Sequence, residues 1–359
     1  MARRITKRGR EIRNFILYNV EDHPQDIGNV TQDRFGIARQ TASKYLNGLI
    51  GSGLIRAEGN TRARRYHLNW LIEETFEEKV HGGLQEDLEW RNKIRPHLEE
   101  HVATNVLDIC QHGFTEMLNN VIDHSDSDNV LMSVSRSAVT IQLMVRDYGI
   151  GIFQKIQQDF QLNDPRHALL ELSKGKLTSD NSKHSGEGIF FTSRMFDWFS
   201  IRSRQLFFSR RNTGGDWFIE SDSVEGEALT GTCIIMEIPT HSERTVREVF
   251  DRYASEFYDY GFTKTHVPIK LGTYDDDQLV SRSAAKRVLA RVNAFKEVML
   301  DFQGVTSIGQ AFADEIFRVF KNAYPEIDLI WINDNPDVER MIQRALTADY
   351  EKSPQLPLV

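Results

Sequence analysis

Glu116, Asn120 and His124 stand four residues apart in the run E-M-L-N-N-V-I-D-H-S, and that spacing constrains the local fold more than any other stretch of the chain. On an α-helix the three polar side chains share one face, while Met117, Leu118, Val121 and Ile122 fall where a core would cover them. A carboxylate one turn from an amide suits a metal–nucleotide site. Asn can offer its oxygen to Mg²⁺, and Glu can take a proton from a water or a hydroxyl. By itself the stripe describes a solvated helix face equally well.

Two later stretches change that balance. The apolar run Thr140–Val145 leads into D-Y-G-I-G-I, Asp147 to Ile152, and a long polar segment is followed by S-G-E-G-I, Ser185 to Ile189, opening a helical pattern. A strand that ends in an acid and two glycines suits a base edge, because the carboxylate accepts from an exocyclic amine and glycine lets backbone approach a ring. Gly-x-Gly at a helix start suits phosphate. Gly231 and Thr232 then precede an apolar strand.

This order of motifs resembles the GHKL superfamily of gyrase, heat-shock chaperones, histidine kinases and mismatch-repair ATPases, and within it most resembles the anti-sigma-factor serine kinases. The resemblance covers roughly residues 85 to 240. It implies a Bergerat α/β sandwich with a mixed sheet that binds ATP and Mg²⁺. Carried over residue by residue, Asn120 would bind Mg²⁺, Glu116 would be the catalytic carboxylate, and Asp147 would accept from the adenine amine. Gly149 and Gly151 would line the base and Gly186 and Gly188 would meet the phosphates, with Lys183, His184 and Thr232 completing the cofactor site. Residues 153–185 carry no strong strand signal, and a segment of that length in a compact domain reads as a functional lid. Arg166, Lys174, Lys176, Lys183 and His184 within it are available to screen phosphate charge.

The first 70 residues hold 13 Lys and Arg against 6 Asp and Glu, a surplus of seven on a chain whose formal net charge is −8. A local basic segment points to an anionic partner, and duplex DNA is the obvious one. Residues 9–22 have helical spacing, a short second helix is expected at Asp33–Ile37, and Arg39–Ile50 reads as a third. A hairpin follows, from Leu54–Arg56 through Glu58-Gly59-Asn60 to Arg64–Leu68. Three helices and a two-stranded wing resemble the winged helix-turn-helix family. That resemblance puts Arg39, Gln40, Thr41, Ser43 and Lys44 at the start of a recognition helix and Arg62, Arg64 and Arg65 on the wing.

Residues 71–115 read as helical, with His81, His97, His101 and His112 as surface or core residues rather than phosphoacceptors. Strands are expected at Asn129–Ser135, Val139–Arg146 and, after a helix from Ile189, near Phe199–Ser203, Gln205–Ser209, Asp216–Ser221 and Thr232–Ile238. Residues 241–262 read as a charged amphipathic linker helix. The remainder follows a βαβαβα order: strands His266–Leu271, Glu297–Phe302 and Asp328–Ile332, helices Ser281–Phe295, Gln310–Tyr324 and Pro336–Leu346, and an acidic turn at Asp275–Asp277. This order calls for a small sheet with helices on one side. The run Val298 to Phe317 resembles the STAS fold of anti-anti-sigma factors. It departs from that family where the phosphorylatable Ser would stand: Ala311 occupies the position, behind Gly309 and Gln310, and Ser307 lies four residues earlier.

The expectation is therefore a multidomain α+β protein: a winged helix at 1–70, a GHKL domain at 71–240 with its lid at 153–185, a linker at 241–262 and a STAS-like domain at 263–359. Two cysteines, Cys110 and Cys233, are too few for a disulfide framework or a metal cluster. No apolar run approaches a membrane span and no signal-type segment follows the basic start, which favours a cytoplasmic, bacterial regulator. Its partners would be ATP with Mg²⁺, double-stranded DNA and a regulatory protein, with a homodimer also open. The rival readings are an ATP-gated dimeric ATPase cycling on DNA, an anti-sigma-like serine protein kinase, and a degenerate nucleotide sensor serving as a scaffold.

Overall fold

Apolar residues at helical spacing bring the first three helices together. A computed structural model describes residues 6–60, 63–177, 186–211, 215–220, 229–254, 262–272 and 279–347. Helix α1 (Lys7–Asn19) opens on Thr6, whose hydroxyl accepts from the Gly9 N–H at 3.1 Å. Helices α2 (Ile27–Phe35) and α3 (Arg39–Gly51) follow, then the antiparallel hairpin β1 (Ile55–Glu58) and β2 (Arg65–Leu68), with Ile55 opposite Leu68. Ile12, Ile16, Ile27, Leu46, Leu49 and Ile55 close on one another as a small core. Helix α2 takes in the expected Asp33 but begins six residues earlier and stops at Phe35, short of Ile37. Gly28, Asn29 and Thr31 are weak helix formers, but Ile27 and Thr31, one turn apart, are both fully buried, and that packing overrides propensity.

Strand β3 (Ile72–Lys79) corrects the helical reading of residues 71–115. It forms one edge of a seven-stranded sheet ordered β3-β4-β5-β9-β6-β7-β8. Ile72, Phe76 and Val80 are four apart, a spacing that fits both a helix face and alternate positions of a strand, and a Glu-rich sequence hid the second possibility. Exposed Glu73, Glu74 and Glu77 also blunt this edge against further pairing. Helical structure resumes with α4 (Glu86–Glu89), which runs on through Trp90–Ile94 and Arg95–His97, and then α5 (Thr104–His124). After these come β4 (Asn129–Arg136), β5 (Thr140–Asp147), α6 (Ile152–Asp159), α7 (His167–Lys174), α8 (Gly188–Met195), β6 (Trp198–Arg204), β7 (Leu206–Arg211), β8 (Gly215–Glu220) and β9 (Leu229–Pro239).

Every neighbouring pair in this sheet runs antiparallel, so it is not the mixed sheet expected. Alternation sets its two faces: Ile141, Leu143, Val145, Ile234 and Met236 point into the main core with Phe114 and Met117 of α5. At the far end of β5 the turn between β4 and β5 enters the other core, where Val139 is buried beside the N-terminal helices.

Among the described residues the linker helix is shorter than the expected 241–262. Helix α9 (Val246–Tyr253) begins with a capping box of Thr245 and Glu248 and ends at Ala254, which bridges to Phe262. Strand β10 (Lys264–Pro268) stops at its proline, ahead of Leu271, and a tight turn over Ile269–Gly272 follows. Helix α10 (Arg282–Leu289) stops before Arg291, whose φ of +63° breaks the helical run. Strand β11 (Glu297–Asp301), a continuous helical stretch of α11 (Gln310–Asp314), a π segment (Glu315–Phe320) and α12 (Lys321–Ala323), strand β12 (Asp328–Ile332) and α13 (Pro336–Thr347) complete the chain. The three strands pair in parallel in the order β10-β11-β12. The acidic turn Asp275–Asp277 lies outside the described residues.

Helix α7 joins this last unit to the main sheet. The fully buried Lys174 ammonium donates to Glu171 at 2.7 Å, to the Arg287 carbonyl at 3.0 Å and to the Ala290 carbonyl at 2.9 Å. Arg291 donates to the other Glu171 oxygen at 2.9 Å and to the carbonyls of Gly175 and Lys176, and the Thr265 hydroxyl donates to the Lys174 carbonyl at 2.7 Å. Burial lowers the Lys174 pKa, with the Glu171 carboxylate opposing that shift. Breaking a buried ion pair on one side strands the other charge. Glu171→Ala is expected to cost about 3–5 kcal/mol in chemical denaturation. The paired change Glu171→Leu with Lys174→Met should recover most of it, since Arg291 keeps its carbonyl partners.

Candidate functional site

Helix α5, the end of β5, the starts of α6 and α8 and the start of β9 converge on one cavity of about 310 Å³. Its walls include Glu116, Asn120, Asp147, Gly151, Gly186, Gly188 and Thr232, seven positions singled out in the sequence from four separate segments. Lys183 and His184 lie outside the described residues, as does Arg62 of the hairpin.

Asp147 is the chemical centre of this arrangement. It is 4 % exposed; its Oδ1 accepts from the Gly149 N–H at 2.9 Å, and it also accepts from the backbone and hydroxyl of Thr232. The same hydroxyl accepts from the Ile152 N–H at 2.9 Å, so Thr232 ties the carboxylate to the first turn of α6. Burial raises the Asp147 pKa above the ordinary carboxylate range, and the hydrogen bonds counter part of that rise. Gly149 and Gly231 make the packing possible. A Cβ on Gly149 would lie 1.8 Å from the Ser125 carbonyl oxygen, and one on Gly231, at φ +79°, would lie 2.2 Å from the Asp147 carbonyl oxygen.

Glu116 sits against the N-terminus of α8: a Cβ on Gly188 would come within 2.1 Å of its Oε2. A helix N-terminus favours negative charge, so the carboxylate and any anion in the cavity share the same favourable end. Gly186, at φ +67°, packs on the backbone of Leu177, whose N–H donates to the Gly186 carbonyl at 3.0 Å. One turn along α5, the buried Asn120 Nδ2 has no hydrogen-bond partner among the described residues. A buried amide edge left unmatched costs free energy, and a ligand in the cavity can recover it. This polar set of two carboxylates, an amide and a helix start fits a Mg–nucleotide.

The expected phosphate-screening cations of the 153–185 segment are placed differently where they are described. Residues 152–174 are largely helical, and three of the expected cations are engaged elsewhere: Lys174 and Lys176 turn to the C-terminal unit, Lys176 donating to the Ala294 carbonyl at 3.1 Å, while Arg166 pairs with Asp164 at 2.6 Å. Leu169 and Leu170 of α7 are buried, and the helix packs against β10 and the turn after it. Sequence reasoning also missed Lys155, Asp159 and Phe160, which line the cavity from α6; Lys155 pairs with Asp159 at 3.3 Å. The spacing of Ile152, Lys155, Ile156 and Asp159 was a helical signal for that wall. Of the four histidines, His81 and His101 are exposed and His97 and His112 are half-buried, His112 against Phe250, with desolvation pulling its pKa down to about 4.

In the N-terminal unit Arg39, Gln40, Thr41, Ser43 and Lys44 are all exposed at the start of α3, opposite buried Ala42, Leu46 and Leu49. Arg64 is half-buried, its guanidinium 5.2 Å from the Tyr66 ring centroid, and Arg65 is exposed on β2. Among the described residues, no helix is long and apolar enough to cross a membrane.

Residues 284–339, from within α10 to within α13, match the family model of a STAS-like domain of unknown function (DUF4325). The C-terminal unit is thus STAS-like, and Ala311 is the second residue of α11 within the matched stretch. No curated protein matches the chain.

If close packing around Asp147 holds the cavity, glycine substitutions should rank by what their Cβ meets. Gly53→Ala, at φ +70° with open space around it, should cost about 1 kcal/mol of strain alone. Gly149→Ala and Gly231→Ala should lower the melting temperature well beyond that, as measured by thermal denaturation.

Proposed function

We propose that the chain is an ATP- and DNA-binding regulator of GHKL type, in which a nucleotide domain with slow Mg-dependent hydrolysis governs an N-terminal winged helix and the C-terminal STAS-like unit. The observation that carries this reading is the meeting of Glu116, Asn120, Asp147 and Thr232 with the start of α8 around one cavity. Adenine recognition falls to Asp147, a buried acceptor already oriented by Gly149 and Thr232. Asn120 is the residue to hold Mg²⁺, which when bound would screen the phosphate charge. Glu116 is the general base, one helical turn away, held near the N-terminus of α8.

With Ala311 in place of a hydroxyl in the STAS-like unit, water is the most available nucleophile, and hydrolysis is favoured over phosphorylation in cis. A control role is favoured over a free-running cycle by the attachment of α7. Leu172 of this helix lines the cavity while Lys174 is fixed to the STAS-like unit, so nucleotide and the C-terminal unit act on opposite sides of one short helix. The exposed polar start of α3 and the basic surplus of the first 70 residues support duplex binding there.

Calorimetry tests the nucleotide assignment directly. Asp147→Asn should weaken Mg·ATP binding roughly ten- to hundred-fold, the loss of a charged hydrogen bond; an unchanged affinity would overturn the site. The same titration has a pH signature. Adenine needs the ionised carboxylate, so affinity should fall as pH drops through the raised Asp147 pKa, starting above the ordinary Asp range. Stability of the ligand-free protein should move the other way at this residue, because a raised pKa means the fold holds that proton more tightly than the unfolded chain does. Glu116→Gln should leave binding nearly intact and slow phosphate release by about 10²–10⁴-fold.

Duplex binding should be salt-dependent, with Arg39→Ala and Lys44→Ala weakening it and each lost phosphate contact flattening the log–log slope by about one unit. Absence of binding at low salt would assign the N-terminal unit to protein contact.

A further inference from the structure

A second cavity, of about 400 Å³, lies in the C-terminal unit between the end of α10, with the turn that follows it, and the π segment. It shares no lining residue with the cavity at Asp147. Leu289, Val319, Phe320 and Tyr324 give it an apolar lining, with the Phe320 and Tyr324 rings 4.8 Å apart and Val319 exposed. Lys286, Arg291 and Glu315 add charge of both signs. Concave apolar walls with a few polar groups are the usual make-up of a small-molecule site.

Glu315 is the unusual member of this lining. It is 9 % exposed, yet neither carboxylate oxygen accepts a hydrogen bond from a described residue. Its cations stand off: Lys286 Nζ is 3.9 Å from Oε1 and Arg282 Nε is 3.9 Å from Oε2, too far for a hydrogen bond. Glu171, similarly buried, instead takes Lys174 at 2.7 Å and Arg291 at 2.9 Å. A carboxylate removed from water without donors is costly, and a ligand that brings a donor recovers that cost. Glu315 also opens the π segment, a backbone irregularity found mostly at functional positions.

We infer that this pocket binds a free α-amino acid with an apolar side chain, its ammonium donating to Glu315, its carboxylate accepting from Lys286 and its side chain lying on Leu289, Phe320 and Tyr324. Both charges of the ligand are needed. An anion alone would meet the Glu315 carboxylate, and a cation alone would meet Lys286 and Arg291. The Lys286 side chain is 70 % exposed, so its long stem can swing onto a carboxylate. Arg291 supplies charge from a fixed place, because its Nη1 and Nη2 donate to Glu171 and to the carbonyls of Gly175 and Lys176. Its guanidinium also lies 5.3 Å from the ring centroid of Phe160, on the wall of the first cavity. Occupancy is therefore placed to bear on the junction with α7. The inference is independent of what the first cavity binds.

Isothermal titration of the full chain, without nucleotide, with L-leucine and with L-phenylalanine tests it. At least one of the two is expected to bind saturably. Its amide, which lacks the carboxylate and stands for a peptide N-terminus, and its deaminated acid should each bind about tenfold more weakly or worse. Glu315→Gln should weaken binding of the amino acid by about tenfold or more and remove the preference over the deaminated acid. Lys286→Ala should remove the preference over the amide. An unchanged melting temperature without ligand shows that each variant is folded; if Glu315→Gln fails that check, Lys286→Ala, at an exposed side chain, decides. Absence of saturable binding of either amino acid up to about 10 mM would overturn the proposal. So would a folded Glu315→Gln variant that binds as wild type does, an amide that binds wild type as tightly as the acid, or a Lys286→Ala variant that still prefers the acid.

Discussion

A carboxylate buried at the end of a central strand sets the terms for the surrounding structure. Asp147 is removed from water on β5, and a buried acid needs donors within reach or it will not stay ionised. Those donors come from segments far apart in sequence: the Gly149 N–H just after the strand and the Thr232 group on β9. Bringing them close leaves no room for side chains at Gly149 or Gly231. The glycines are thus consequences of the acid's burial as much as features of a loop, and the cavity opens where this packing meets α5.

A second buried charge does comparable work at the other end of the molecule. Lys174 has no water to turn to, and its hydrogen bonds go to Glu171 in the same helix and to two carbonyls around the end of α10. Ion pairs of this kind add little net stability over an apolar contact, but they tolerate few alternative geometries. Here the contact fixes how α7 meets the STAS-like unit while the flanking residues Leu172 and Leu177 line the cavity.

Much of this was legible in the sequence. The E-x-x-x-N-x-x-x-H helix, the strand ending in Asp147 and the glycines of β9 and α8 could be read because each depends on local spacing, and the βαβαβα order of the last hundred residues emerged for the same reason. What escaped depended on partners distant in sequence. Ile72 and Phe76 become a strand only because β4 lies beside them, and Lys174 reads as a phosphate ligand until Arg287 and Ala290 arrive from the C-terminal unit. Lys155 and Phe160 were missed for a simpler reason: residues 153–185 read as one lid, so the helical spacing at its start was not followed into the cavity.

The turn between β4 and β5 has a mechanical consequence. Val139 is buried in the core of the N-terminal helices, and the Leu71 N–H donates to the Arg136 carbonyl at 2.7 Å beside it. From Thr140 the strand runs about 24 Å, at roughly 3.4 Å per residue, to the buried acid at Asp147. A hydrogen-bonded strand resists stretching and shear far better than a loop does, so β5 acts as a splint with one end clamped in each core. The first helices are therefore not a bead on a string: turning them against the sheet means pulling Val139 out of its seat.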